Sequence, residues 1–130
     1  MSYEIKWYVP NRVLHLHITG KVGYQENNEM NAKLTDEIHS GQAPVHLIIE
    51  LAKDVTVPVD ISALSKGTPI RDKMVGRAVL VGANGILRFL GQMVANLAHA
   101  DVKLVTSMDE AHQALLEIEP NLPVATNNRA

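Results

Sequence analysis

Residues 77–106, RAVLVGANGILRFLGQMVANLAHADVKLVT, decide the fold. Arg77 to Ala83 is almost wholly apolar and bounded by glycines, the pattern of a central strand buried on both faces. Asn84 supplies a capping side chain, and the helix that it opens runs to about His99. Ile86, Leu87, Phe89, Leu90, Met93, Val94 and Leu97 form its wide apolar face, with Arg88, Gln92 and Asn96 opposite. Gly91 is a weak point in that helix, because glycine loses the most backbone freedom there. Val102 to Thr106 reads as the next strand. A strand, a helix and a strand in this order predict a parallel pair joined by a right-handed crossover.

The same reading extends outward. Val45–Leu51, VHLIIEL, is a strand with Val45, Leu47, Ile49 and Leu51 on one face and His46, Ile48 and Glu50 on the other. Before it, Tyr24 to Ser40 has helical spacing, with Met30, Leu34 and Ile38 as a narrow apolar stripe and Gly41 as a C-cap. Tyr3–Val9 and Arg12–Thr19 each alternate with period two around a Pro10-Asn11 turn, which predicts a hairpin. Ala52–Val59 has no clear period. Asp60 then caps a short helix, DISALSKG, stopped by Gly67 and Pro69, and Ile70–Gly76 adds a helical turn. Downstream, Ser107 and Glu110 form a capping box for MDEAHQALLEIE, which Pro120 ends. The expected fold is α/β: a mainly parallel four- to five-stranded sheet, an antiparallel N-terminal strand and about four helices. Residues 1–120 form the expected single domain, and residues 121–130 a flexible tail.

One face of several strands is consistently polar: Glu4, Lys6 and Tyr8, then His15, His17 and Thr19, then His46 and Glu50, then Lys103. If these faces coincide, helices cover the sheet mainly on one side, and the partly open side is a surface for a homodimer. Composition narrows the function classes. The 130 residues are 46% hydrophobic and carry a formal charge of −2, so no electrostatic footprint for nucleic acid is present. Cysteine is absent, which excludes thiol nucleophiles, CxxC redox chemistry and thiolate zinc sites. No signal-peptide pattern and no apolar run of membrane-spanning length occurs, so the expected location is cytoplasmic. Only 4% of residues are aromatic, and the core is therefore aliphatic.

The order of elements and the local motifs resemble the STAS superfamily, especially its SpoIIAA-like branch, from about Ile5 to Ile118. In that family a strand ending in an acidic and apolar pair leads through a loop to Asp-Ser-Ser-Gly-Leu at the start of a short helix. Here Ile48-Ile49-Glu50-Leu51 leads to Asp60-Ile61-Ser62-Ala63-Leu64. The acidic start of the last helix, Ser107-Met108-Asp109-Glu110-Ala111, also matches. The resemblance implies a bacterial-type regulatory domain, switched by phosphorylation of the serine directly after the Asp. That position is Ile61 here, so Ser62 is the phosphoacceptor only if the register shifts by one. Asp60 and Ser62 otherwise serve as ordinary helix caps. The SpoIIAA-like branch also implies small stand-alone proteins that hold apolar molecules, by similarity to Sec14-type lipid carriers. Leu64, Ile70, Met74, Phe89, Leu90 and Met93 would line such a cleft, although the same stripe is also ordinary core.

Other constellations carry less. His15 and His17 share a strand face, and His46 with Glu50 would join them if their strands are adjacent. No HExxH motif accompanies them, and the expectation is no metal. At a dimer interface the same histidines would make association weaker at mildly acidic pH. Gly82-Ala83-Asn84-Gly85 sits where backbone N–H groups bind anions, but it lacks the GxGxxG spacing and the Walker lysine, so a tight turn is expected. Lys66, Arg71, Lys73 and Arg77 against Asp72 make the one basic stretch, suited to an acidic partner or lipid headgroups. No GxSxG elbow is present. The expected function is therefore non-enzymatic binding of a small apolar or lipid-like ligand without a cofactor. The alternative is a STAS-type module that binds a regulatory protein.

Overall fold

A computed structural model describes residues 2–56 and 68–122. The predicted hairpin forms from β1 (Ser2–Val9) and β2 (Val13–Thr19), whose antiparallel register sets Glu4 against His17 and Lys6 against His15. Helix α1 spans Tyr24–Ser40, the predicted limits, and buries Met30, Leu34 and Ile38. Strands β3 (Val45–Leu51), β4 (Val75–Val81) and β5 (Asp101–Val105) follow in parallel with β2, giving one five-stranded sheet in the order β1-β2-β3-β4-β5. Helix α2 (Gly85–Ala98) crosses from β4 to β5, and α3 (Met108–Ile118) closes the domain.

The described residues hold three α-helices against about four expected. The predicted DISALSKG helix, with Asp60, Ser62 and Leu64, lies outside the described residues, as does the tail from residue 123. The helical turn expected over Ile70–Gly76 is instead a 3-10 turn at Pro69–Arg71, and β4 starts at Val75. Pro69 fixes its own backbone for that turn, and the Thr68 hydroxyl caps it.

Two local expectations are refined. Asn84 caps α2 as predicted, its Oδ1 accepting the Leu87 N–H at 3.1 Å. At α3 the Ser107 hydroxyl accepts the Glu110 N–H at 3.2 Å, but Glu110 reaches past Ser107 to the Thr106 N–H at 2.7 Å and the Thr106 hydroxyl at 2.9 Å. The box is thus displaced by one residue, because Thr106 offers the carboxylate two donors.

The polar strand faces do coincide: the registers put Glu4, Lys6, His15, His17, His46, Glu50 and Lys103 on one side of the sheet. That side is less open than expected. Helices α1 and α2 cover the apolar side, where Leu14, Leu16, Leu34, Ile38, Leu47 and Leu87 form the larger core. Helix α3 covers the centre of the other, packing Ala111, Ala114 and Leu115 on Val13, Ile48, Val79, Val81 and Val105, with Leu122 also buried there. The apolar stretch from Ala78 to Val81 of strand β4 contributes to both cores, which is why its sequence does not alternate.

Candidate functional site

The apolar side of the sheet carries a cavity of about 180 Å³ between α1 and α2 that is partly open to solvent. Met30 and Leu34 close it from α1, Leu47 and Leu80 form its floor, and Leu90 and Val94 close it from α2. Asn27, Asn31 and Thr68 are the polar groups on its rim. Small residues create the space: Ala78 on the floor and Gly91 in the helix wall occupy positions where larger side chains would project inward. A Cβ on Gly91 would lie 2.9 Å from Leu80 Cδ2, so the predicted weak point of α2 lies close against the sheet.

Of the residues expected to line an apolar cleft, Ile70 and Leu90 border this cavity. Met74 packs at the edge of the larger core and beside a separate shallow hollow with His39, Arg71, Asp72 and Lys73. Phe89 is 61% exposed on the outer side of α2, and Met93 is half-buried and does not border the cavity. The lining residues of α1 and the sheet read in the sequence as ordinary core, because their periodicity reports burial and not the width of the gap above them.

On the opposite face the histidines do not converge. His15 Nε2 lies 2.8 Å from Glu50 Oε1, and the His15 and His17 rings are 6.5 Å apart. His46 is 1% exposed and engaged at both nitrogens. Its Nδ1 accepts the Arg77 backbone N–H at 2.9 Å, so its proton sits on Nε2 and is donated to Glu119 at 2.7 Å. His15, His17 and His46 therefore do not form one group, since His46 faces the end of α3. Among the described residues no group of three or more His, Asp or Glu side chains could hold a metal ion. The Tyr8 hydroxyl lies 3.4 Å from His112 Nδ1, and burial, with Asp109 adding to it, raises the Tyr8 pKa above its ordinary value.

The basic stretch divides in the same way. Arg77 turns onto the α3 side, where it donates to Asp101 at 3.0 Å, to Glu117 at 2.9 Å and to the Ala114 carbonyl at 2.9 Å. Burial disfavours its charge, but the Asp101 and Glu117 carboxylates outweigh that and raise its pKa. Arg71 and Lys73 are exposed, and Lys66 lies outside the described residues. Gly82 has φ of +82°, its N–H bonds to the Val105 carbonyl at 3.2 Å, and the chain bends there before Asn84 opens α2.

The sequence matches no protein-family model and no curated protein. The structure aligns with the anti-sigma factor antagonist SpoIIAA in its unphosphorylated form, at a TM-score of 0.61 and 14% identity. The match covers 94% of this chain and 100% of that one. The chain has a SpoIIAA-like fold. No helix among the described residues is long and apolar enough to cross a membrane.

Proposed function

We propose that this chain is a regulatory protein-interaction module that works by binding and without catalysis. The observation that carries the reading is the whole-chain fold match to SpoIIAA, an anti-sigma factor antagonist that has an unphosphorylated form. An antagonist of that kind is directed at another protein. In this reading the partner meets the segment Asp60–Leu64, and phosphate on Ser62 alters the contact through its added negative charge. The test compares the wild-type chain with Ser62→Ala and Ser62→Asp in extract of the source cells with ATP. Phosphate on the wild-type peptide spanning Val55 to Lys66, and a partner lost or gained in Ser62→Asp relative to Ser62→Ala, are the expected results. An unmodified peptide and identical partners for all three proteins would overturn the switch.

A second reading is favoured by the cavity between α1 and α2. At about 180 Å³ it resembles apolar cavities of about 150 Å³ that take up benzene, and it falls short of the roughly 300–1,000 Å³ of drug-sized sites. The ligand in this reading is a one-ring or short-chain apolar molecule; a two-chain lipid is too large. Native mass spectrometry of the chain purified from its source should show the added mass, and indole should raise the melting temperature. A clean ligand-free mass with no thermal shift would remove this reading.

A further inference from the structure

Strand β1 is an edge strand: among the described strands it pairs only with β2, so its outer row of backbone N–H and C=O groups has no strand beside it. Edges of this kind are ordinarily blunted by a proline, a bulge, shortness or unmatched charge. Here Pro10 follows the strand, the bulge falls between Trp7 and Val9, and the ladder runs regularly from Ser2 to Trp7. Two charges remain as protection, Glu4 and Lys6. They are of opposite sign, two residues apart on one face, largely exposed, and 3.9 Å from each other.

We propose that two copies of this chain pair β1 to β1, antiparallel, about a two-fold axis at Ile5. When identical strands pair antiparallel, the residue on the axis meets itself, and its neighbours meet in reciprocal pairs on the same face. With Ile5 on the axis, each Glu4 stands opposite the other copy's Lys6, and each Tyr3 opposite the other copy's Trp7. The protective charges become two cross-strand ion pairs on one face, and two aromatic pairs form on the other. Moving the axis to Glu4 or Lys6 sets like charges against each other. Moving it to Tyr3 or Trp7 leaves the charges without opposite partners. Only the Ile5 register satisfies both faces, and that charge complementarity commits the edge to a second copy of this chain.

The surroundings suit the pairing. Tyr3, Ile5 and Trp7 are half-buried at the rim of the larger core, and a shallow hollow lined by Tyr3, Ile5, Lys33, Asp36 and Glu37 lies along this edge. A two-fold axis perpendicular to the sheet keeps both copies of α1 on one side, so five strands and five strands make one continuous sheet. This is association through an edge, distinct from stacking through the polar face, and it stands independently of the regulatory reading.

Sedimentation equilibrium at concentrations up to about 0.5 mM tests it. The wild-type chain is expected to approach twice its 14.3 kDa mass. Glu4→Lys and Lys6→Glu, each checked for folding by circular dichroism, should each raise the dimer Kd roughly tenfold or more. The double exchange Glu4→Lys/Lys6→Glu should restore it, because the register again opposes unlike charges. The two single variants mixed should prefer each other to themselves. A wild-type chain that stays monomeric overturns the proposal. So do single variants that associate like wild type, or a double exchange that fails to recover.

Discussion

His46 donates its Nε2–H to the Glu119 carboxylate at 2.7 Å, joining the start of β3 to the residue that ends α3. Arg12 donates to the same carboxylate and to the Pro44 carbonyl. The Arg77 N–H closes the set by binding His46 Nδ1. One buried imidazole thus connects the starts of β3 and β4 to the end of the last helix, and both of its nitrogens are satisfied. Replacing His46 with Leu fills similar volume but leaves the Arg77 N–H without its acceptor and Glu119 with Arg12 as its remaining donor. The expected loss is about 1–3 kcal/mol in urea unfolding.

Gly76→Ala should be comparably damaging by a different route. A Cβ there would lie 2.4 Å from His46 Cε1 and 2.6 Å from Nδ1. The ring cannot turn aside without losing both hydrogen bonds. We expect a loss of about 1–3 kcal/mol, the range of overpacked cores, seen as a lower urea midpoint at an unchanged slope.

Glu119 also sets an acid limit. The hydrogen bond from Arg12 lowers its pKa against the opposing effect of burial, and His46 lowers it further. A carboxylate whose pKa is lower in the folded chain contributes stability above its unfolded value, about 4.3, and loses it as pH falls through the folded value. Glu119→Gln should therefore be less stable than wild type at pH 7. The difference should narrow below about pH 4. A difference that stays constant from pH 7 to pH 3 would show that the charge is not responsible.

Much of the fold is legible in the sequence because burial there follows simple periods. Tyr24–Ser40 and Val45–Leu51 have their predicted limits, since Met30, Leu34 and Ile38 repeat once per helical turn and VHLIIEL lies between turn residues. The boundary at β4 is less legible. Val75 and Gly76 carry no alternation, and Gly76 belongs to the strand because His46 occupies the space above it. The site was harder still. Whether His46 turns toward His15 or toward Glu119 depends on where α3 ends, far along the chain. The cavity depends on the spacing between α1 and α2, which neither helix encodes alone.

Gly82→Ala combines an unfavourable backbone conformation with a close contact. Gly82 lies at φ +82°, and a Cβ would also come within 2.9 Å of the Leu51 carbonyl oxygen. Left-handed backbone costs an L-residue about 1–2 kcal/mol, and the rigid carbonyl adds to it. The expected destabilisation exceeds about 1 kcal/mol. The turn residue Asn11, at φ 64°, offers the control: Asn11→Gly should be neutral or slightly stabilising in the same assay.

Gly91→Ala should behave unlike either glycine, although its added Cβ would lie 2.9 Å from Leu80 Cδ2. The neighbour is the far end of a flexible side chain, and Leu80 borders a cavity of about 180 Å³ into which its methyl group can move. Against the small cost of that movement stands the gain from replacing glycine inside a helix, about 1 kcal/mol. Gly91→Ala is therefore expected to be neutral or to stabilise by up to about 1 kcal/mol, while reducing the cavity. A ligand held there would bind less tightly, so the thermal shift given by indole should shrink in this variant as its ligand-free melting temperature holds or rises. A loss of stability as large as that of Gly76→Ala would mean that Leu80 has no room to move and that α2 is packed as rigidly on the sheet as His46 is on β4.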